Sequence, residues 1–321
     1  MNKKIILFLL FNAIIFNVYC DYGGEPLAYL KLKAGARATA MGGAWTSLSN
    51  NLSGILYNPA GIINLDGFEL FAETYLMSFG RSVNFISTGK PLSIGNNYYT
   101  LALSWFNYSA GPVEKRITSS PDPLKLISDV SHLFYFTMAM KLAKNVNLGG
   151  NFKFLYQSID ERTAKGFGFD LGFLIKITDN LNFGLSVMNV STYLNWDKNP
   201  YTETAPVIIN GGISYDFKSV MNVKKFDVLI ALDSLYDTYG YFLLKPGMEI
   251  KVNDFFYLRT GFDKTFTFGT GFKFKPSEIF IVKLDYALSC DAILQDSLNN
   301  RIGLIVDYIF PHWKNEETQL K

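Results

Sequence analysis

Two histidines are present, His132 and His312. A hydrolytic triad needs an imidazole between a nucleophile and an orienting carboxylate, and a two-histidine metal site needs both rings on one surface. His132 opens one strand-like segment at its outer side, whereas His312 lies in a polar tail at the inner side. The two do not converge. No glycine-rich phosphate loop with its lysine occurs either. Glu249 and Asp285 are the carboxylates that can approach each other as an acid–base pair, although a solvated lining is the plainer reading. They share small-polar faces with Lys153, Asp170, Arg259 and Lys283. One further cation, Arg37, is the only ionisable side chain between Gly35 and Gly61. Buried, it needs a carboxylate or carbonyl partner, and anchoring outweighs ligand binding as its expected role. No catalytic residue, metal or cofactor is expected.

The elements that carry these charges alternate in polarity with period two. Phe167, Phe169, Leu171, Phe173 and Ile175 alternate with Gly168, Asp170, Gly172, Leu174 and Lys176. Phe266 to Phe274 and Phe280 to Leu288 repeat the pattern. About fourteen such segments can be drawn between residues 68 and 310, at roughly 10 residues each, the length of a transmembrane barrel strand. Register is least defined in the first two, because Glu69 and Glu73 share a face with Phe71 and Tyr75. Connections sort by parity. Lys144-Asn145, Thr178-Asp179, Asn253-Asp254 and Pro276-Ser277 are short and follow even segments. Ser109 to Val130, Val190 to Ala205 and Cys290 to Asn300 are long and follow odd ones. Short inner turns and long outer loops are the habit of outer-membrane barrels. The stretch Ser109 to Val130 is expected as the longest loop, with Leu124-Lys125-Leu126-Ile127 either capping the mouth or forming a greasy landing site for a ligand. Pro246 removes a ladder donor within a strand and marks a bulge or a break in the wall.

Ahead of the segments lies GARATAMGGAWTSLSNNLSGILYNPAG, residues 35–61, rich in Gly, Ala, Ser and Asn. Gly42-Gly43 permits dihedrals that other residues resist, and Asn58-Pro59-Ala60-Gly61 reads as a rigid turn. Such a stretch suits a compact plug within the wall. It resembles the N-terminal signature of the FadL-like outer-membrane barrels, most closely the PorV/PorQ branch. The matching positions are Ala36-Arg37-Ala38, Met41-Gly42-Gly43, Ser49-Asn50-Asn51 and Asn58-Pro59-Ala60-Gly61, with Asn50-Asn51 replacing the usual acidic pair. The resemblance implies an N-terminal hatch that includes Arg37, Gly42, Gly43, Asn58, Pro59, Ala60 and Gly61. It also implies passage of a hydrophobic small molecule, such as a long-chain fatty acid, without chemistry. In the PorV manner it implies instead docking or shuttling of secreted proteins.

Residues 1–20 read as a signal peptide, with Lys3-Lys4 before the apolar run Ile5 to Phe16. Acylation of Cys20 is the alternative. The expected parts are then this peptide, a hatch over 21–67, a barrel over 68–310 and a polar tail over 311–321. Removing Lys3 and Lys4 from 30 basic residues leaves 28 against 28 acidic ones. A neutral chain carries no electrostatic footprint for nucleic acid. The fold expected is all-β, a transmembrane antiparallel barrel with the hatch in its lumen. Its partners are outer-membrane lipid and a hydrophobic ligand or secreted protein, and it is expected to be a monomer.

Overall fold

The computed structural model describes residues 25–95, 97–117, 119, 121–198, 201–217, 226–291 and 297–309. The expected signal peptide with Cys20, His312 and the tail lie outside them. Among the described residues sixteen strands are present: β1 (Gly67–Leu76), β2 (Ser82–Ile94), β3 (Asn97–Lys115), β4 (Lys125–Ala143), β5 (Val146–Ile159), β6 (Arg162–Lys176), β7 (Leu181–Val190), β8 (Tyr193–Trp196), β9 (Thr202–Thr204), β10 (Ile208–Asp216), β11 (Asp227–Asp237), β12 (Phe242–Lys251), β13 (Phe256–Asp263), β14 (Thr265–Ser277), β15 (Phe280–Cys290) and β16 (Leu298–Ile309). Short β8 and β9 form a hairpin in the β7–β10 connection, and the other fourteen close an antiparallel barrel. Closure is the β1–β16 ladder, in continuous register from Gly67–Ile309 to Leu76–Asn300. A sheet facing hydrocarbon has no other stable form, because an open edge would leave backbone donors and acceptors without water.

The period-two pattern sets the two faces. On β6, Phe167, Phe169, Leu171 and Phe173 are exposed outward while Gly168, Asp170 and Gly172 are buried inward. Leu70, Leu103, Phe136 and Phe152 continue the exposed apolar belt on β1 and β3 to β5. The belt and the closed ladder place the chain in the bacterial outer membrane.

On β1 to β3 the inward face is also aromatic. Phe71, Phe85 and Phe106 are all buried, and Phe85 packs against the other two rings at 5.6 and 6.5 Å. Glu69 and Glu73 point inward beside them, which settles the register of the first two strands.

Two expectations about the connections change, and two features gain detail. The stretch Ser109 to Val130 is mostly strand: β3 and β4 run 19 residues each, and pairing resumes at Pro112–Ser128 beyond a bulge. Above the membrane a ladder needs no oily face, so its polarity disguised it. The piece Leu124 to Ile127 accordingly enters β4 and is not a separate cap. Between Val190 and Ala205 the β8–β9 hairpin pairs with the top of β6, and Leu194 is fully buried. Pro246 makes no bulge against β11, where Leu232–Pro246 pairs in register. On its other side the β12–β13 ladder stops one residue short of it, running only from Gly247–Gly261 to Lys251–Tyr257.

Candidate functional site

Residues 34–62 lie within the ring of strands and are almost all buried. Small wall residues permit this, because backbone meets backbone. A Cβ on Gly149 would come within 2.4 Å of Ala60 N, and one on Gly172 within 2.1 Å of Asn58 Oδ1. On the opposite wall, Gly247 and Gly261 receive Met41, and Gly42, at φ 66°, lies against the backbone of Phe262.

A chain coiled this tightly leaves helix-end donors unpaired, and wall side chains satisfy them. The short helix Ala36–Ala40 opens on Glu73, which accepts from the N–H groups of Gly35 and Ala36. Asp233 Oδ2 accepts from Trp45 N at 2.9 Å and Thr46 N at 2.8 Å. Glu69 accepts from Leu52 N, and Thr267 Oγ1 from Gly42 N. Asn58 caps the 3-10 turn Pro59–Asn64, with Pro at the first position, and its Nδ2 donates to Thr46 O and Phe173 O, both at 2.8 Å. Glu69, Glu73 and Asp233 are the residues that sequence reasoning missed. The signal lay in an acid on an otherwise greasy face, which in a barrel wall means an inward face.

The six charged wall residues form three groups. Arg37 grips Glu249 with two hydrogen bonds of 2.7 Å, donates to Asn50 Oδ1 at 3.2 Å and covers the Trp45 ring at 4.8 Å. Arg259 joins the same Glu249 at 2.6 Å and reaches Asp285 at 2.7 Å. Glu249 and Asp285 are thus brought together only through a guanidinium, an arrangement suited to bracing and not to proton exchange between them. Lys153 is buried elsewhere, bonded to Asp170 at 2.7 Å and Asn189 at 2.6 Å. Lys283 pairs with Asp307 at 2.7 Å. Among the described residues no cluster of three or more His, Cys, Asp or Glu side chains suits a metal ion.

Two spaces flank the coiled segment. At the short-turn end a vestibule of about 1280 Å³ is lined by Arg37, Glu249, Arg259, Lys283 and Asp285 together with turn residues such as Asn145 and Asp179. Above the segment a cleft of about 10 Å³ lies among Leu30, Leu32, Leu56 and Phe106, with Lys33, Lys153 and Asp170 on its wall. That is room for about one water. Lys33 stands over the Tyr57 ring at 4.6 Å, and no ion pair reaches its amine among the described residues. Burial, with Lys245 nearby, pulls that amine down to about 7. Asn58, Pro59, Ala60 and Gly61 are buried and line neither space.

The long-loop end is closed by residues 25–33. Lys31 bonds Glu25 and Asp237, and Tyr29 stacks on Tyr108 at 5.9 Å. Among the described residues the lumen is thus closed at the long-loop end and open at the short-turn end.

Fold comparison then places the architecture. The Ralstonia pickettii toluene transporter TbuX superposes with a TM-score of 0.57 at 10% identity, over 87% of this chain and 99% of that one. The Pseudomonas putida toluene transporter TodX gives 0.58 at 13% identity, over 86% and 97%. A Pseudomonas aeruginosa FadL homologue gives 0.52 at 11% identity, over 84% and 96%. This is the FadL-type barrel fold. No family model and no curated protein sequence matches the chain. The FadL-type barrel here has fourteen strands in its ring, and the resemblance read from residues 35–61 and the superposition agree on it.

Proposed function

We propose that this FadL-type barrel passes a hydrophobic small molecule across the outer membrane without chemistry, acting as a monomer. Residues 21–67 serve as the hatch, with Arg37, Gly42, Gly43, Asn58, Pro59, Ala60 and Gly61 as its seats and hinges. The observation that carries the reading is a lipid-facing wall whose lumen is filled by a noncovalently held segment, between a sealed apolar cleft and an open polar vestibule. The three fold neighbours, transporters of toluene in two cases, support the class. For this chain Lys33 favours an amphiphile with a carboxylate, such as a long-chain fatty acid. A buried amine without an acid partner stands beside apolar side chains, where a carboxylate would supply the missing charge. The exit follows the β12–β13 seam. There the ladder stops beside Pro246, the Lys245–Asp263 pair of 3.0 Å spans the gap, and Gly42 lies behind.

Uptake of labelled long-chain fatty acid by a deletion strain tests this. Loss of uptake, restored by the wild-type gene and not by Lys33→Glu, is the expected result. Undiminished uptake, with purified protein carrying no lipid, sinks the reading.

A second reading, docking of secreted proteins in the manner of the PorV/PorQ branch, draws on Val113, Ile117, Leu124 and Leu126. These stand exposed on the hairpin above the membrane. Crosslinking through that hairpin should then recover secreted proteins that the deletion strain fails to release.

A further inference from the structure

The outer surface of β1 to β6 carries one polar row across the greasy pattern. Thr74, Asn84, Asn107, His132, Tyr156 and Lys165 are successive cross-strand partners. All six point away from the lumen, since their chain neighbours Tyr75, Phe85, Phe106, Leu133, Leu155 and Ala164 are buried. One row nearer the middle of the membrane the partners are Trp105, Phe134, Phe154 and Phe167. Beyond the row on the other side stands the β3–β4 hairpin. The row therefore sits where the apolar belt ends.

Its first members bond to one another. Thr74 Oγ1 lies 2.5 Å from Asn84 Oδ1, and Asn84 Nδ2 lies 3.3 Å from Asn107 Oδ1. Trp105 Nε1 donates to His132 Nδ1 at 3.2 Å, with the Asn107 amide 3.5 Å from the same nitrogen. With Nδ1 as acceptor, the neutral ring carries its proton on Nε2. The ring is held in orientation by stacking between Trp105 at 5.9 Å and Tyr156 at 6.3 Å. No protein partner reaches the Tyr156 hydroxyl or the Lys165 amine among the described residues. The loop acids at this end are engaged elsewhere, Asp160 by Lys115 and Lys125 and Asp197 by Thr163.

Three donors on adjacent strands thus have no acceptor among the described residues. Pure lipid contact does not call for a pinned imidazole beside a free hydroxyl and a free amine at one level of the wall. We propose that His132, Tyr156 and Lys165 bind the phosphate of an anionic outer-leaflet lipid, whose acyl chains lie along Phe134, Phe154 and Phe167. Charge complementarity favours this occupant. The site offers one lysine and two further donors, which suits a singly charged phosphodiester without a cationic head group.

Native mass spectrometry of the mature barrel in detergent, titrated with phosphatidylglycerol and with phosphatidylcholine, tests the site. Phosphatidylglycerol should be retained more tightly. Lys165→Ala should weaken it roughly tenfold, the loss expected of one charge-assisted hydrogen bond. Tyr156→Phe, which keeps the stacking, should weaken it less, and Lys90→Ala, an exposed lysine elsewhere on β2, should leave it unchanged. Heat-modified gel mobility checks that each variant is folded. Equal retention of the two lipids, an unaltered Lys165→Ala, or an equal loss from Lys90→Ala overturns the proposal. Displacement of the lipid by inorganic phosphate overturns the lipid assignment in favour of a free-anion site.

Discussion

The coiled N-terminal segment is held in two different ways by the two halves of the wall. Against β1 to β5 large apolar side chains lead, beside the carboxylates of Glu69 and Glu73 and the close approach at Gly149: Leu52, Ile55 and Leu56 join Phe71, Phe85, Phe106, Leu133 and Leu155 in one buried cluster. Against β10 to β16 the apolar contacts are fewer and smaller, Ala231, Ala287 and Ile305 among them, and backbone on glycine, Asp233 on N–H groups and the chain Arg37–Glu249–Arg259–Asp285 make up the rest. Apolar burial is lost only by exposing the surface to water. Ion pairs beside a wet vestibule exchange one partner for another or for water at smaller net cost. The aromatic half is therefore expected to be the anchor and the charged half the side that yields, which is also the side of the incomplete β12–β13 ladder.

The comparison breaks most directly at Phe85. Phe85→Ala removes a fully buried ring between two others and should cost about 3–5 kcal/mol of the segment's seating. Hydrogen exchange should show the amides of residues 44–56 losing protection first, and if they keep it the aromatic half is not the anchor. Arg37→Met should act next, at about 1–3 kcal/mol, discounted because the guanidinium is part-exposed to the vestibule. It should raise single-channel opening in planar bilayers while residues 44–56 stay protected. Equal loosening of both halves would erase the distinction. A further test is pH. Lys33 folds to an amine near 7 from an ordinary value of 10.5. Between those values the unfolded chain binds more protons, so stability of the segment rises with pH from about 7 to 10 and the penalty is complete below 7. Exchange rates, corrected for their own pH dependence, should show a modest rise in protection that Lys33→Met abolishes.

Much of the wall was legible because the membrane imposes one rule on every strand that crosses it. Phe167 to Ile175 obey it, and so does Ile302 to Tyr308. The rule failed where its premise did. Phe71, Phe85 and Phe106 point into the lumen, since a lumen filled by protein is a core and not a water channel. Gly111 and Pro112 hid the top of β3 because that ladder stands above the hydrocarbon, where periodicity is not enforced. In the N-terminal segment, small residues and the Asn58-Pro59 turn were readable. Which wall acids they answer was not, because Glu73, Asp233 and Glu249 meet Ala36, Trp45 and Arg37 through the closure of the whole ring. No local pattern encodes contacts made across 37, 188 and 212 residues.

The inward carboxylates also constrain the order of assembly. A ring zipped at β1–β16 around an empty middle would enclose Glu69, Glu73 and Asp233 without the amides they bind, and Phe85 without its neighbours from the leader. Such a hollow intermediate is costly. Rolling up the sheet and coiling the leader are then one event, with residues 34–62 acting as the mandrel on which the cylinder is wound.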